Sequence, residues 1–298
     1  MWICFFCGGA TQLLVLRKGL EQRSDTPQAC GVASWRLDNC EWRRAISRRR
    51  DPTPPTAGRK YTKSFFGVTL YTIMKAVILA AGEGVRLRPL TLTTPKPLLT
   101  VRGKPLLLRL VESFPEEIDE LIIVVGYLGD KIKEYCGDTF CGRPVRYVTQ
   151  EKVGGTYKAL ELCKPFLDSK PFMLFFPDDL LDAKAIAECA KEPLALIAAR
   201  VEDARPFGVI DIDSRGFVKD IVEKPEVPPT NLVATSCYKL SADVFKYTPS
   251  AHPRTGEYYL SESIARLAKE QKIRVIITDF WFPIANVEDL KNANNLFV

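Results

Sequence analysis

The chain has 298 residues, of which 46% are hydrophobic and 26% charged, a composition that excludes a disordered or fibrous protein. Lysine and arginine exceed aspartate and glutamate by 42 to 36, and a net charge of +6 would suggest a nucleic-acid or acidic-membrane partner. The excess belongs to residues 1–73, which carry 12 basic and 5 acidic side chains, against 30 and 31 in residues 74–298. The larger part is therefore near neutral, and we expect neither nucleic-acid nor membrane binding from it.

Residues 1–73 show no sustained helix or strand periodicity. Residues 1–16 are uncharged but fall short of the roughly 20 apolar residues that cross a bilayer, and no basic segment precedes them as in a secretory signal. Five arginines within residues 43–50 are typical of a solvated basic segment or, alternatively, of a nucleic-acid or membrane arm. Because an ordered pattern begins abruptly at Met74, we expect residues 1–73 to be a non-domain extension, disordered or upstream of the true start.

From Met74 onwards, short apolar runs alternate with helix-like stretches. The runs predict strands buried on both faces, at residues 75–81, 120–126, 145–149, 172–177, 194–201 and 273–278. Helices are predicted at residues 105–113, 129–135, 156–163, 183–190, 261–269 and 287–296. The alternation indicates one α/β domain over residues 74–298, with a mainly parallel three-layer sheet flanked by helices. A small antiparallel hairpin at 208–222 is predicted as an insertion beside the main sheet. Scattered cysteines without metal-ligand spacing favour a reducing, cytoplasmic location.

The most informative passage follows the first predicted strand. It reads LAAGEGVRLRPLT over residues 79–91 and TPKPLL over residues 94–99. Glycines let a backbone approach a phosphate, although the spacing matches neither a Walker A loop nor a dinucleotide fingerprint, which needs glycine where Leu87 stands. The passage also supplies three cations suited to a triphosphate, Arg86, Arg88 and Lys96. On spacing alone, a glycine-rich surface turn with solvated cations explains it equally well.

This passage resembles the signature L-A-G/A-G-x-G-T-R-L-x-P-L-T, followed by P-K-x-L-L, of the sugar-1-phosphate nucleotidylyltransferases. Later passages follow in the family's order: QEKVGGTYKAL at 150–160, FFPDDLL at 175–181, FGV at 207–209, VEKP at 222–225 and the closing segment 281–294. The resemblance covers essentially all of residues 74–298. It implies a Rossmann-like sheet of the nucleotide-diphospho-sugar transferase type.

The resemblance also implies a reaction, in which UTP or dTTP and a hexose-1-phosphate, expected to be glucose-1-phosphate, give a nucleotide sugar and pyrophosphate. The catalytic residues it implies are Arg86 for the triphosphate, Lys96 for the α-phosphate and Asp178 for a Mg²⁺ cofactor. The nucleotide-binding residues it implies are Leu79, Ala81, Gly82, Gly84, Gln150, Gly155 and Thr156. The residues it implies for the sugar phosphate are Gly208, Glu223 and Lys224.

Several of these residues have a second interpretation. Asp179 competes with Asp178 as a metal ligand and also suits a cap of the following helix. The amide of Gln150 can read the edge of a pyrimidine, but a glutamine at a strand end is also ordinary. Glu223 and Lys224 could form a plain surface ion pair.

The sequence departs from the family pattern at three positions. Val85 stands where the family often has threonine, and Ser236-Cys237-Tyr238 lacks the usual glycine. Pro283 occupies the position of a second metal-binding aspartate, and Asp279 is too far from the motif to replace it. Either one carboxylate suffices for Mg²⁺, or activity is reduced. Two alternatives therefore stay open, a catalytically silent nucleotide-sugar-binding regulatory subunit and a mannose-1-phosphate guanylyltransferase, and the sequence also leaves a homo-oligomer open.

Overall fold

The computed structural model describes residues 74–168 and 170–296, so the predictions for residues 1–73 lie outside the described residues. In the described part the strands are β1 (Met74–Ala80), β2 (Thr100–Val101), β3 (Lys104–Pro105), β4 (Ile118–Val125), β5 (Thr139–Phe140), β6 (Arg143–Thr149), β7 (Phe172–Phe175), β8 (Asp179–Leu181), β9 (Ala195–Arg200), β10 (Gly208–Ile212), β11 (Val218–Glu223), β12 (Leu232–Leu240), β13 (Arg274–Ile277) and β14 (Trp281–Pro283). The α-helices are α1 (Leu106–Glu112), α2 (Gly129–Cys136), α3 (Thr156–Glu161), α4 (Ala183–Lys191), α5 (Leu260–Ala268) and α6 (Val287–Asn295).

Local capping explains where two of these helices begin. The side chain of Asp182 accepts a hydrogen bond from Lys184 N at 2.9 Å and starts α4. Asn286 and Asp289 form a reciprocal capping box at the start of α6. Across residues 74–168 and 170–296, none of the helices has the length and apolar character of a membrane span.

The centre of the fold is a ten-stranded sheet with parallel strands in its middle. β7, β1, β4 and β6 are neighbours in that order and all run parallel, with Val77 aligned to Ile122 and Ile78 to Phe175. β12 runs antiparallel to both β7 and β9. The prediction of a mainly parallel α/β sheet flanked by helices is confirmed.

Both faces of the sheet are covered, which produces the three layers. On one face, Val77 and Ile122 belong to a buried cluster with residues of α3 and α5, including Leu160 and Ile264. On the other face, residues of α1, α2 and α4 cover Ile78 and its neighbours. Because side chains alternate along a strand, these nearly continuous apolar runs supply both cores at once.

The antiparallel hairpin is placed differently from the prediction. β10 and β11 pair as predicted, with Gly208 opposite Glu223. However, β10 also pairs with β12 through Val209 and Val233, so the hairpin extends the main sheet rather than lying beside it. The strand that joins them, β12, was not among the predicted strands.

Candidate active site

A cavity of about 360 Å³ lies at the carboxyl ends of β1, β6 and β7, where ligands of open α/β sheets bind. It is lined by ten of the residues that the family resemblance implies: Leu79, Ala81, Gly82, Gly84, Arg86, Lys96, Gln150, Gly155, Thr156 and Asp178. The nucleotide-binding and catalytic residues predicted from four separate passages thus meet in one place. Gly208, Glu223 and Lys224 do not line this cavity.

The glycine loop forms one wall of the cavity. Gly84 has φ +62° and accepts a hydrogen bond from Thr91 Oγ1 at 2.9 Å, which folds the loop back on itself. A Cβ added to Gly82 would have no heavy atom within 4 Å, so the backbone there faces open space. Arg86 points to the cavity, whereas Arg88 donates to Glu83 at 3.1 Å. Of the two loop arginines, only Arg86 therefore lines the cavity.

Lys96 and Asp178 come together across the mouth of the loop. Lys96 Nζ lies 2.8 Å from Asp178 Oδ2, with 14% and 38% of the respective side chains exposed. The proline on either side of Lys96 restricts the backbone, because Pro95 and Pro97 have fixed φ angles. A partly exposed carboxylate and a mostly buried ammonium group thus line the same cavity as Gly82.

The segment after β6, residues 150–156, which we call the glycine box, forms another wall of the cavity. Gln150 N donates to Val125 O at 2.8 Å, which fixes its backbone while its side chain lines the cavity. Gly155 has φ +90°, and a Cβ there would lie 2.5 Å from Tyr258 O, so only glycine fits. The Thr156 hydroxyl accepts from Leu260 N at 3.0 Å. This box is thus locked to the segment that precedes α5.

The predicted sugar-phosphate residues form a group next to the cavity. A Cβ on Gly208 would lie 3.2 Å from Glu223 Oε2, so the carboxylate lies over the bare backbone of Gly208. Lys224 Nζ donates to the Tyr259 hydroxyl at 3.0 Å, and Tyr259 lines the cavity. Glu223 and Lys224 also lie 3.7 Å apart as an ion pair. Tyr259 therefore joins this group to the main cavity.

Comparison with known proteins decides the family. Residues 75–297 match the model of the nucleotidyl transferase family. The chain belongs to this nucleotidyl transferase family. The matched segment contains every residue of the cavity and of the neighbouring sugar-phosphate group.

Relatives of this nucleotidyl transferase include a uridylyltransferase and a bifunctional protein. The chain is 34% identical to the UTP–glucose-1-phosphate uridylyltransferase AglF of Haloferax volcanii, over 70% of this chain and 89% of AglF. It is 30% identical to the bifunctional protein GlmU of Methanocaldococcus jannaschii over 74% of this chain and 53% of GlmU. The chain thus spans about half the length of the GlmU relatives that it matches.

Solved structures agree on the fold. A UDP-glucose pyrophosphorylase complexed with UDP-glucose superposes with a TM-score of 0.69 at 24% identity, covering 76% of this chain and 98% of the other. A Bacillus anthracis protein assigned as a glucose-1-phosphate thymidylyltransferase, in complex with sucrose, gives a TM-score of 0.65 at 26% identity, covering 75% and 94%. The Rossmann-like prediction is confirmed.

Asp179 has a different environment from its neighbour in this nucleotidyl transferase. Its Oδ2 accepts a hydrogen bond from Trp281 Nε1 at 2.7 Å, and it does not line the cavity. Burial, and then the adjacent charge of Asp178, raise its pKa to about 7. The interpretation of Asp179 as a helix cap is wrong, because Asp182 caps α4.

Two polar residues of the cavity were not predicted from the sequence, Glu257 and Tyr259. The Tyr259 hydroxyl donates to Glu257 Oε2 at 2.5 Å while accepting from Lys224. The signal available was a Glu-Tyr-Tyr sequence immediately before a helix, which has no phosphate- or metal-binding spacing. The contribution of this segment to the cavity becomes visible only from the close approach of Tyr258 to Gly155.

The donor set of the nucleotidyl transferase limits how it could hold a metal. Among the described residues, no group of three or more His, Cys, Asp or Glu side chains is placed to hold a metal ion. Position 283, which pairs with Asp179 in the β8–β14 ribbon, is a proline and so offers no carboxylate. Asp178 fits a hard cation that keeps waters and phosphate oxygens as its other ligands, but not a cation enclosed by protein ligands.

Proposed function

We propose that this chain condenses UTP or dTTP with a hexose-1-phosphate, glucose-1-phosphate being the leading candidate, to give a nucleotide sugar and pyrophosphate. The observation that carries the proposal is the Lys96–Asp178 pair at the mouth of a glycine loop, with Arg86 on the same cavity. The similarity to AglF, a UTP–glucose-1-phosphate uridylyltransferase, supports the choice of substrates.

The chemistry is a displacement at phosphorus. An oxygen of the sugar phosphate attacks the α-phosphorus, one P–O bond forms, the bond to the β-phosphate breaks, and pyrophosphate leaves. Negative charge grows on the phosphate oxygens, so catalysis depends on positioning and positive charge. Arg86 would neutralise the β- and γ-phosphates, and Lys96 would do so at the α-phosphate.

The base of the nucleotide and the sugar phosphate would be bound by different parts of the site. The amide of Gln150 has both a donor and an acceptor, which match the edge of a pyrimidine. Lys224, held by Tyr259, would bind the phosphate of the sugar, and Glu223 would accept hydrogen bonds from its hydroxyls. Tyr259 lines the cavity and holds Lys224, so the sugar phosphate would bind beside the cavity that takes the triphosphate.

Mg²⁺ fits the proposal as a cofactor that enters with the triphosphate. Asp178 would hold it through oxygen, and bound Mg²⁺ supplies positive charge that neutralises phosphate oxygens. Lys96 Nζ donates a hydrogen bond to Asp178 Oδ2. The Asp178 carboxylate would therefore be shared between the ammonium group and a bound cation.

A catalytically silent nucleotide-sugar-binding subunit is the second candidate, and Pro283 favours it. It would bind the same ligands without releasing pyrophosphate. A mannose-1-phosphate guanylyltransferase is less favoured, since a purine presents a different edge to Gln150.

Assays of every combination of triphosphate and sugar phosphate distinguish these candidate functions. The full chain is incubated with Mg²⁺, each of UTP, dTTP and GTP, and glucose-, N-acetylglucosamine- or mannose-1-phosphate, while pyrophosphate is measured. We expect turnover with a pyrimidine triphosphate and glucose-1-phosphate, and Gln150→Leu should lower its kcat/KM about tenfold or more. Calorimetric binding without turnover in any combination contradicts the proposal and supports the silent subunit.

A further inference from the structure

The β8–β14 ribbon supports the turn that carries Asp178. The two strands pair with Trp281 opposite Leu181 and Pro283 opposite Asp179. Directly after β14, Ile284 N donates to Asp178 O at 3.1 Å. The closing segment thus holds the backbone of Asp178 itself.

One side-chain hydrogen bond closes the ribbon next to this turn. Trp281 Nε1 donates to Asp179 Oδ2 at 2.7 Å, which is short for an N–H to oxygen bond. The two side chains lie on the same face of the ribbon, because diagonal neighbours of an antiparallel pair share a face. Pro283, on that same face, has no polar atom in its side chain to replace this bond.

The opposite face of the ribbon reaches the glycine loop. Leu180 and Phe282 pack in one buried cluster with Leu87 and Ile284. Leu87 directly follows Arg86, so the ribbon also supports the loop that delivers the triphosphate-facing cation. A shift of the ribbon would therefore move Asp178 and Arg86 together.

Trp281 also touches the sugar-phosphate side. Its ring meets Phe207 edge to face, with centroids 5.2 Å apart. Phe207 precedes Gly208, and its carbonyl accepts from Lys224 N at 2.9 Å. The indole thus contacts both the turn that carries Asp178 and the segment that leads into Gly208.

We propose that the Trp281–Asp179 hydrogen bond positions Asp178 relative to the sugar-phosphate group, a role that rests on the proposed function. Asp179 does not line the cavity, so it acts through the turn and is a positioning residue. Misplacement by about 1 Å can cost on the order of 100-fold in rate, which makes such a contact measurable.

The test uses four variants of the full chain: Trp281→Phe, Asp179→Leu, their double variant and Asp179→Asn. Asparagine keeps an acceptor oxygen for the indole N–H, whereas leucine does not. We expect Trp281→Phe and Asp179→Leu to lower kcat roughly 10- to 100-fold, with the triphosphate KM changed less than about threefold. The double variant should be no worse than either single one, and Asp179→Asn should stay within about threefold of the wild type.

Thermal unfolding distinguishes positioning from general stability. Leucine removes the hydrogen bond to the indole but also a partly buried carboxyl group beside Asp178, so Asp179→Leu should keep a Tm close to that of the wild type while kcat falls. An unchanged kcat in Trp281→Phe, additive losses in the double variant, or an Asp179→Asn variant as slow as Asp179→Leu would each overturn the proposal.

A second readout does not need turnover. In NMR spectra, Trp281→Phe assigns the indole N–H signal, and Asp179→Leu should shift that signal and the Ile284 amide, while Asp179→Asn leaves the Ile284 amide in place. A wild type that releases no pyrophosphate contradicts the proposed function alone. An Ile284 amide unmoved by Asp179→Leu contradicts the positioning contact.

Discussion

Lys96 Nζ lies 2.8 Å from Asp178 Oδ2, although 82 positions separate the two residues in the chain. The pair forms because β1 and β7 are parallel neighbours, so the segments that follow them leave the sheet at the same edge. A cation from one segment and a carboxylate from the other then define where a phosphate can bind.

Removing the Lys96 ammonium group should lower kcat but leave the stability of the fold almost unchanged. We expect Lys96→Met to lower kcat about 100-fold or more, because charge on the phosphate oxygens loses its nearest cation. The free energy of unfolding should change by less than about 1 kcal/mol, since Asp178 is partly exposed. Lys191→Met, at an exposed position in the last turn of α4, is the control and should leave kcat unchanged. Equal effects of the two variants would contradict the assignment.

The two loop arginines should behave differently. Arg86 lines the cavity, while Arg88 pairs with exposed Glu83. We expect Arg86→Met to reduce kcat/KM for the triphosphate about 100-fold and Arg88→Met to reduce it less than about threefold. Steady-state kinetics with varied triphosphate measure both, and a larger loss in Arg88→Met would show that the loop binds its ligand in another way.

Most of the residues predicted for the site lie together around one cavity, whereas one central strand of the sheet was not predicted. The family resemblance, and not spacing alone, singled out Gly84, Arg86 and Lys96, which one short loop places on the same cavity. β12 escaped prediction, since its polar and small residues, Thr235 and Ser236 among them, break the apolar pattern although both are buried. Their burial follows from pairing with β7 and β9, which is a tertiary property.

The closing segment shows a second limit. The sequence alone shows that Pro283 stands where the family has a carboxylate. The hydrogen bond between Trp281 and Asp179 cannot be predicted in the same way, because it depends on pairing between strands about a hundred residues apart. Only the structure shows that these side chains share one face.

Two glycines should separate function from stability. Gly82→Ala adds a Cβ into open space, so we expect an unchanged Tm and a lower affinity for the triphosphate. Gly155→Ala places a Cβ 2.5 Å from Tyr258 O at φ +90°, and should cost about 3 kcal/mol, a fall in Tm of roughly 10 °C. Thermal unfolding and calorimetric titration of both variants test this, and a Gly155→Ala protein as stable as the wild type would contradict the close packing of Gly155 against Tyr258.

Asp179 should make stability depend on pH in metal-free buffer. Its folded pKa of about 7 lies above an unfolded value of about 3.9, so the folded state binds the proton more tightly. The stabilisation is complete below about pH 4 and is lost as the pH rises through about 7. Relative to Asp179→Asn, which does not titrate, the wild type should therefore lose free energy of unfolding between these values, by about 4 kcal/mol at most. Denaturant unfolding at several pH values measures the difference, and parallel curves would refute it.

Phosphorus NMR of one reaction mixture tests nucleotidyl transfer most directly. The full chain, Mg²⁺, UTP and glucose-1-phosphate should give the paired signals of a nucleotide diphospho-sugar together with an equal amount of pyrophosphate, and Lys96→Met should give neither over the same period. Release of nucleoside monophosphate and pyrophosphate without a nucleotide sugar, or an unchanged spectrum with every triphosphate and sugar phosphate, would contradict the account.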